Sequence, residues 1–309
     1  MKAPIFYSKI LLFGEYGIIK DSKGLSIPFN YFKGGLKVGD SKNENQKISN
    51  NNLKKFRDYL SKINKDIVKF DHQKFDIDLL NGMYFDSSIP QGYGVGSSGA
   101  IVAAIYDRYA LNKITVLENL TKQKILVLKN IFSEMESFFH GTSSGLDPLN
   151  SYLSLPILIH SKDEVETTGI PSQDSIGKGA VFLLDSGKSS DTAPMVEIFF
   201  KLMENKKYKR MINDEFIKIT DSCVEDFLNA NFNSLFKNIK ILSKVVLKNF
   251  KPMIPKNFHN VWAKGIESDE YFLKLCGSGG GGYILGFAKD YNKAKKSLSN
   301  YNLEVVYNF

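Results

Sequence analysis

A glycine-rich turn that runs directly into an apolar helix is the feature of this sequence that most restricts its fold. The turn covers residues 90–100 and reads Pro-Gln-Gly-Tyr-Gly-Val-Gly-Ser-Ser-Gly-Ala. Its glycines allow positive φ angles and a close approach of the backbone to a ligand. The amides of Ser97, Ser98 and Gly99 point out of the N-terminus of the helix that follows. Together these features predict a cradle for an anion such as a phosphate group.

The same turn requires a cation if the anion is a triphosphate. A helix N-terminus carries only about half a positive charge, which is too little for such a ligand. The hydroxyl of Ser98 is placed to ligate the cation, as the serine or threonine of other phosphate loops does. A structural turn with a serine cap is the alternative that the local sequence leaves open. The glycine spacing and the absence of Gly-Lys-Ser or Gly-Lys-Thr exclude a dinucleotide fingerprint and a Walker-type loop.

A second polar segment covers residues 136–148. Glu136 borders the apolar stripe of a predicted helix over residues 116–138, where a bare carboxylate is costly without a cation or a donor. This favours a magnesium ligand, and a solvated glutamate on the helix flank is the alternative. Asp147 precedes Pro148 and is interpreted either as the N-cap of a helix over residues 148–153 or as a catalytic carboxylate. His140 is interpreted as a structural hydrogen-bonding residue, because no metal-spaced histidine or cysteine accompanies it.

Two further segments have a pattern that points to function. Residues 276–282, Cys-Gly-Ser-Gly-Gly-Gly-Gly, join two apolar strand-like runs. This placement favours a close backbone approach to a ligand or to another loop over a flexible linker. Near the N-terminus, Lys9 and Glu15 bracket an apolar strand. A carboxylate partner such as Asp147 would allow Lys9 to stabilise a developing alkoxide.

Composition excludes several classes of protein. A length of 309 residues favours two domains, and 43% hydrophobic with 24% charged residues is typical of a soluble globular chain. No apolar run approaches the ~20 residues of a membrane helix. The net charge of +8 comes from lysines spread along the chain, with only three arginines, and this argues against a nucleic-acid partner. A basic RNA-binding module remains the alternative from another functional class.

The cellular setting and the partner are expectations of the same kind. The first residues lack the pattern of a secretory signal, and only Cys223 and Cys276 are present, which is consistent with a reducing compartment. We therefore expect a cytoplasmic protein that acts on a small anionic molecule.

Periodicity predicts most of the secondary structure. We expect helices over residues 53–63, 97–111, 116–138, 290–298 and in several pieces between 193 and 248. We expect strands over residues 5–13, 17–30 (broken by a turn at 21–24), 75–80, 156–160, 164–168, 180–185, 271–276, 283–287 and 303–307. A mobile surface loop is expected over residues 33–52 and a joint between domains over residues 169–179.

The four polar and glycine-rich segments, in this order, resemble the GHMP kinase family, named for galactokinase, homoserine kinase, mevalonate kinase and phosphomevalonate kinase. The family's three motifs match residues 9–15, 90–100 and 275–282. Within the family, the opening Lys-Ile-Leu-Leu-Phe-Gly-Glu and the pattern His-Gly-x-x-Ser-Gly-x-Asp are most similar to the mevalonate kinases. The resemblance implies an α+β fold: an N-terminal domain (residues 1–172) like one in ribosomal protein S5, and a ferredoxin-like C-terminal domain (residues 173–309), with the site between them.

The resemblance also implies an activity and roles for individual residues. It implies transfer of phosphate from ATP, with Mg²⁺, to the C5 hydroxyl of mevalonate, and phosphomevalonate, homoserine or a sugar are the alternative acceptors. Asp147 and Lys9 would be catalytic, and Ser98 and Glu136 would hold Mg²⁺. The ATP phosphates would contact Gly92, Gly94, Gly96, Ser97, Ser98 and Gly99. The acceptor would contact Glu15, Tyr16, His140, Ser144, Thr192, Gly279 and Gly280. A homodimer is a candidate assembly.

Several positions differ from the usual pattern of the family. Tyr16 replaces histidine, Gly99 replaces alanine, Ser143 replaces proline, and Ser190 stands where an arginine is common. These positions are expected to cluster around the acceptor, whereas the phosphate-binding residues are kept. The resemblance therefore implies kinase activity more directly than it implies mevalonate as the acceptor.

Overall fold

The computed structural model of the protein describes residues 4–39, 43–116, 119–174 and 177–309. Its contacts divide the chain into two compact units. The first contains the chain up to Lys9, Ile27–Pro90 and Gly96–Leu155, and the second contains Ile10–Ser26, Gln91–Val95 and Pro156–Phe309. The expected domain division between residues 172 and 173 remains a prediction. In the described part of the chain, no helix is both long enough and apolar enough to span a membrane.

The strands are β1 (Phe6–Phe13), β2 (Gly24–Val38), β3 (Lys69–Phe70), β4 (Met83–Ser87), β5 (Ala110–Leu111), β6 (Ile157–Ser161), β7 (Glu164–Thr167), β8 (Ala180–Asp185), β9 (Phe272–Leu275), β10 (Tyr283–Ala288) and β11 (Leu303–Asn308). The α-helices are α1 (Glu44–Leu60), α2 (His72–Leu80), α3 (Ser97–Tyr109), α4 (Lys122–His140), α5 (Leu146–Leu153), α6 (Thr192–Met203), α7 (Lys206–Met211), α8 (Ile217–Leu228), α9 (Phe232–Asn249), α10 (His259–Ser268) and α11 (Tyr291–Ser297). A π-helical turn, Ile212–Phe216, joins α7 to α8.

In the first unit, an aromatic cluster fixes three helices against each other. Tyr106 on α3, Phe132 on α4 and Tyr152 on α5 meet edge to face, with ring centroids 5.0 to 5.5 Å apart. Such pairs stabilise beyond the apolar area that they bury. The cluster thus holds together the three helices that carry the candidate site.

In the same unit, the C-terminal part of β2 pairs antiparallel with β4, from Gly34 opposite Ser87 to Val38 opposite Met83.

The second unit is built on a four-stranded antiparallel sheet with the order β11-β8-β10-β9. Along the chain, β8 is followed by helices, then by β9 and β10, then by α11 and β11. A β-α-β-β-α-β sequence with this strand order is the ferredoxin-like arrangement, so the expected topology is confirmed. The N-terminal part of β2 pairs antiparallel with β6, which in turn pairs with β7.

One predicted strand is a helix. Residues 75–80 were expected to be extended because apolar and polar residues alternate there, but they belong to α2. The Asp71 side chain caps this helix by accepting from the backbone N–H of Lys74 at 3.0 Å. Phe75 and Leu79, four residues apart, are the buried pair, whereas Ile77 is 50% exposed. A one-sided helix of two turns contains too few apolar positions to separate period 3.6 from period 2.

The predicted loop over residues 33–52 is also wrong. Strand β2 continues to Val38, and α1 begins at Glu44 with the Asn43 side chain as its cap. A Cβ at Gly34 would lie 2.4 Å from the Phe85 ring, which covers this glycine from the neighbouring strand. Polar residues on α1 face solvent, and they led to the prediction of a loop. Residues 40–42, 117–118 and 175–176, which fall in the predicted loop, helix and domain joint, lie outside the described residues, as do residues 1–3.

We expect Gly286→Ala to lower the free energy of unfolding by about 1–3 kcal/mol, because it overpacks a filled core. Gly286 pairs with Phe182 across β10 and β8, and a Cβ there would lie 2.3 Å from the Phe182 ring. The measurement is urea unfolding at equilibrium. Gly169→Ala is the matched control, since nothing lies within 4 Å of its Cβ position, and a change of less than about 0.5 kcal/mol is expected. Equal effects of the two changes would contradict this packing argument.

Candidate active site

A buried lysine and a partly exposed aspartate form an ion pair in the first unit. Lys9 lies on β1, and its Nζ is 2.9 Å from Oδ1 of Asp147 on α5. The lysine side chain is 5% exposed and the aspartate side chain is 37% exposed. A small molecule can therefore reach the carboxylate, while the ammonium group is withdrawn from water. The structure brings together the two residues that we predicted to act as a pair.

Asp147 is not the N-cap of its helix. α5 begins at Leu146, and its N-cap is Gly145 with φ of 72°. Asp147 therefore lies in the first helical turn, where a negative charge is favourable. The capping interpretation is wrong because the helix begins at Leu146, two residues before Pro148, and directly follows Gly145, whose positive φ ends the preceding loop.

Glu136 is a buried carboxylate that two serine hydroxyls hold. It lies near the C-terminal end of α4 and is 3% exposed. Ser98, at the start of α3, donates to Oε1 at 2.8 Å, and Ser143, in the loop after α4, donates to Oε2 at 2.5 Å. The alternative of a solvated glutamate on the helix flank is therefore wrong.

The electrostatic surroundings of Glu136 oppose its charged form. Burial, and after it the negative charge of Asp147, raise the pKa of Glu136 to about 7, although hydrogen bonds from Ser143 and Ser98 and the charge of Lys9 act in the opposite direction. Two carboxylates and one ammonium group leave one negative charge in excess among these three side chains. A buried charge of this kind is costly without a compensating cation.

A magnesium ion fits this set of oxygen atoms. Mg²⁺ prefers oxygen ligands and is commonly held by one or two carboxylates together with substrate phosphates. The hydroxyl of Ser98 and the carboxylate of Glu136 provide such oxygens side by side. No group of three or more His, Cys, Asp and Glu side chains in the described part of the chain is arranged to hold a metal. A cation at Ser98 and Glu136 would therefore complete its coordination with phosphate and water.

The hydroxyl of Ser98 has a second neighbour besides Glu136. The Nε2 atom of His140 lies 3.0 Å from the Ser98 oxygen. A hydroxyl has one proton, so Ser98 can donate to the glutamate or to the imidazole but not to both, and the tautomer of His140 decides the second option. His140 is a hydrogen-bonding residue as expected, and its contact with the acceptor stays a prediction.

Two glycines allow α3 to begin against the Lys9–Asp147 pair. Gly96 is the N-cap of α3 with φ of 81°, and a Cβ there would lie 2.9 Å from Cγ of Lys9. A Cβ at Gly99 would lie 2.7 Å from the carbonyl carbon of Asp147. Gly99, which replaces the alanine usual in the family, is thus explained by this close approach. Ser97 occupies the first helical position, where the amide has no acceptor within the helix.

In the second unit, three loops contact each other through their backbones. They are residues 91–95, residues 186–190 and residues 276–282. The amide of Ser190 donates to the carbonyl of Gly92 at 3.0 Å, and the amide of Gly282 donates to the carbonyl of Lys188 at 2.5 Å. A Cβ at Gly94 would lie 2.5 Å from the carbonyl oxygen of Cys276. The glycine run over residues 276–282 therefore supports residues 91–95. Contact with another loop is one of the two uses that the sequence left open.

Gly279 and Gly280 belong to the same packing. A Cβ at Gly279 would lie 2.5 Å from the carbonyl oxygen of Met253, and a Cβ at Gly280 would meet the Ser190 hydroxyl. Both glycines have positive φ. The structure gives these residues a clear role in packing, and their predicted contact with the acceptor stays a prediction.

A buried ion pair anchors Glu15, two residues after the end of β1, in the second unit. Nζ of Lys274, on β9, is 2.6 Å from Oε1 of Glu15, and both side chains are almost fully buried. The neighbouring Tyr16 donates its hydroxyl to the carbonyl of Ser278 at 2.6 Å, and burial raises the pKa of Tyr16. We predicted acceptor contacts for Glu15 and Tyr16, whereas the polar atoms in these bonds face other protein groups. Their contact with the acceptor stays a prediction.

The two other residues predicted at the acceptor are exposed. Thr192 is the first residue of α6, and Ser144 lies in the loop between α4 and α5. The Ser144 hydroxyl accepts from the amide of Leu146 at 3.4 Å. Both side chains are accessible to a small molecule, and their roles stay predictions.

The sequence analysis gave no role to Ser143 or Lys274. A signal for Lys274 was present, because a lysine inside the apolar run Phe-Leu-Lys-Leu of β9 must be buried with a partner. Ser143 had a weaker signal, its replacement of the usual proline. Its contact with Glu136 depends on how the loop folds back onto α4, which no local pattern specifies.

Comparisons with known proteins identify a family domain and the fold. Residues 53–154 match the family model described as GHMP kinases N terminal domain. No curated protein sequence matches the chain. The fold is similar to L. major mevalonate kinase in complex with R-mevalonate (17% identity, 97% of this chain and 90% of that chain, TM-score 0.63). It is also similar to Methanococcus jannaschii mevalonate kinase (18% identity, 100% of this chain and 99% of that chain, TM-score 0.60). A third similar structure is Streptococcus pneumoniae phosphomevalonate kinase in complex with phosphomevalonate and AMPPNP (14% identity, 99% of this chain and 99% of that chain, TM-score 0.64).

The similarity to solved structures covers nearly the whole chain, while the sequence match is confined to the segment that contains α3, α4 and α5. A domain of this family implies a phosphotransferase. The chain therefore has the fold of the GHMP kinases and contains their N-terminal domain.

Proposed function

We propose that the protein is an ATP-dependent kinase that phosphorylates an alcohol, the C5 hydroxyl of mevalonate. The observation that carries this proposal is the Lys9–Asp147 pair, in which a reachable carboxylate lies 2.9 Å from a buried ammonium group. The carboxylate can accept the proton that an alcohol must lose, and the ammonium group stabilises the oxygen as negative charge develops.

The pair favours an alcohol over a phosphate as the acceptor. A phosphate group is already anionic at neutral pH, so it needs no base and would be repelled by Asp147. An alcohol is neutral and has a proton to lose. The fold similarity to mevalonate kinases is consistent with this choice, and the similarity to a phosphomevalonate kinase keeps phosphomevalonate as the main alternative.

The glycine turn would bind the nucleotide. We assign the phosphates of ATP to the backbone of residues 92–99 and Mg²⁺ to Ser98 and Glu136. When bound, Mg²⁺ would neutralise the negative charge of the phosphates during transfer. Phosphoryl transfer requires mainly positioning and charge neutralisation from a protein. The backbone of the glycine turn would position the phosphates, and Ser98 and Glu136 would hold the cation that neutralises their charge.

The reaction balances as an in-line displacement. The acceptor oxygen forms a bond to the γ-phosphorus of ATP, the bond from that phosphorus to the β,γ-bridging oxygen breaks, and ADP leaves. The proton of the acceptor hydroxyl passes to Asp147. Lys9 stays protonated, and its positive charge stabilises the negative charge that develops on the acceptor oxygen.

The proposal is tested with purified protein and a panel of acceptors. Formation of ADP is followed in a coupled assay with Mg²⁺-ATP and mevalonate, phosphomevalonate, homoserine or galactose. We expect turnover that depends on mevalonate. Turnover with phosphomevalonate alone would contradict the argument from Asp147, and turnover with homoserine or galactose would keep the alcohol acceptor but replace mevalonate.

We expect Asp147→Asn to lower kcat at least about a hundredfold, because it removes a proton acceptor. The amide oxygen of asparagine can still accept from Lys9, so folding and nucleotide affinity should be retained. Lys9→Met should cause a comparable loss. The double variant should lose much less than the product of the two effects, because the residues act as one unit. The measurements are kcat under saturating substrates and the binding affinity for ATP.

Asp86→Asn is the matched control for this prediction. Asp86 also pairs with a lysine, Lys37, at 2.6 Å in the first unit, but both side chains are exposed. Exposed pairs contribute little, and we expect wild-type kcat in this variant. Wild-type kcat in Asp147→Asn would overturn the assignment of the carboxylate.

We expect Glu136→Gln to weaken magnesium-dependent turnover and to raise stability at high pH. The pKa of Glu136 is about 7, above its ordinary value of 4.5. Folding therefore favours the protonated form, and the stability that this group contributes is lost as pH rises through about 7. Without divalent cations, the melting temperature of Glu136→Gln should exceed that of the wild type by more at pH 8 than at pH 5. An equal difference at both pH values would contradict this prediction.

A further inference from the structure

We propose that Ser143 is a positioning residue that orients the Glu136 carboxylate toward the cation. This inference rests on the proposed function, since the cation would be the Mg²⁺ assigned to Ser98 and Glu136. Ser143 stands where the family usually has proline, which has no hydroxyl to donate. The role would therefore belong to this chain rather than to the family pattern.

The hydrogen bonds of Ser143 define the orientation of the carboxylate. Its hydroxyl donates to Oε2 of Glu136 at 2.5 Å and accepts from the amide of Gly145 at 3.0 Å. The proton of Ser143 is therefore directed at Glu136, because the other partner supplies a proton of its own. With Oε2 held in this way, Oε1 faces the hydroxyl of Ser98 at 2.8 Å. The two oxygens proposed as ligands are thus next to each other.

The loop that carries Ser143 is attached to α4 at two further points. The Ser133 hydroxyl donates to the backbone carbonyl of Ser143 at 2.5 Å. Gly145 approaches the same helix so closely that a Cβ would lie 2.1 Å from the carbonyl oxygen of Lys129. Ser143 therefore acts on Glu136 from a supported position, and the loss of its hydroxyl alone should leave the loop in place.

Ser143 lies in the loop that connects the two carboxylates of the site. The loop leads from Glu136 on α4 to Asp147 on α5, and the negative charge of Asp147 makes the buried charge of Glu136 more costly. A donor from this loop satisfies Glu136 without adding a third ionic group. Residues that orient a ligating carboxylate typically change metal affinity by about 10- to 100-fold when they are removed.

The test compares Ser143→Ala, Ser143→Cys and Ser143→Thr with the wild type. The probe is Mn²⁺, whose binding to the protein with AMPPNP is measured by electron paramagnetic resonance. The apparent constant for Mg²⁺ and kcat are measured separately. We expect the alanine and cysteine variants to bind Mn²⁺ about tenfold more weakly, with a similar rise in the Mg²⁺ constant and little change in kcat at saturating Mg²⁺. Threonine, which keeps the hydroxyl, should restore the wild-type values.

Ser137→Ala is the matched control. Ser137 is the neighbour of Glu136 on α4, but its hydroxyl donates to the carbonyl of Ser133 within the helix at 2.7 Å. We expect wild-type affinity for Mn²⁺ in this variant. Ser133→Ala removes one attachment of the loop and leaves the Ser143 hydroxyl in place, so it should affect the melting temperature more than the affinity for Mn²⁺.

The outcomes separate this inference from the proposed function. Wild-type Mn²⁺ affinity in Ser143→Ala, in a protein that binds Mn²⁺ and transfers phosphate, would overturn the role of Ser143 and leave the proposed function standing. A wild-type protein that binds neither AMPPNP nor Mn²⁺ would overturn the proposed function and this inference with it. If neither the alanine nor the cysteine variant folds, Ser143 is a structural requirement of the loop and the positioning role is wrong.

Discussion

The first unit depends on the burial of a carboxylate that it does not neutralise. Glu136 is almost completely enclosed, and its two oxygens accept from hydroxyl groups rather than from a cation. The nearby ammonium group of Lys9 is bonded to Asp147. Replacement of buried charged groups by well-packed apolar residues is often neutral or stabilising. A charge kept under these conditions is typical of a site built for a ligand, and a ligand with positive charge would remove the cost.

The second unit solves a different problem, which is how to support a turn made of glycine. In residues 91–95, Val95 is buried and Tyr93 packs edge to face on Tyr283, whereas Gly92 and Gly94 make backbone contacts with two other loops. A side chain at Gly94 would clash with the carbonyl of Cys276. The hydrogen bond from the Tyr16 hydroxyl to the carbonyl of Ser278 in turn fixes the glycine run over residues 276–282. Support of the turn thus comes from main-chain hydrogen bonds and close backbone approach, together with the packing of Val95 and Tyr93.

The fold and the site could be predicted from the sequence to different degrees. Strand β8 is an apolar run up to its last residue, Asp185, and it was predicted with the correct bounds, because such runs separate clearly from their polar flanks. The helix α2 was missed because its buried face is only two residues wide. Residue types and the resemblance to the family suggested Lys9, Ser98, Glu136 and Asp147 as candidates, but the bond from Ser143 to Glu136 arises from tertiary folding. Asp147 was assigned two alternatives because a residue before proline is a common cap, and only the geometry of Gly145 excludes the cap.

The departures from the family pattern acquire a different meaning from the structure. They were expected to cluster around the acceptor and so to reflect a change of substrate. Tyr16 instead donates to a backbone carbonyl, Ser143 donates to Glu136, and Gly99 makes room for the backbone of Asp147. Each of these three residues makes a contact within the protein, so its replacement has an explanation other than a change of acceptor. Under the proposed function, the acceptor is therefore judged by the group that would take its proton, Asp147, and a carboxylate in that role favours an alcohol.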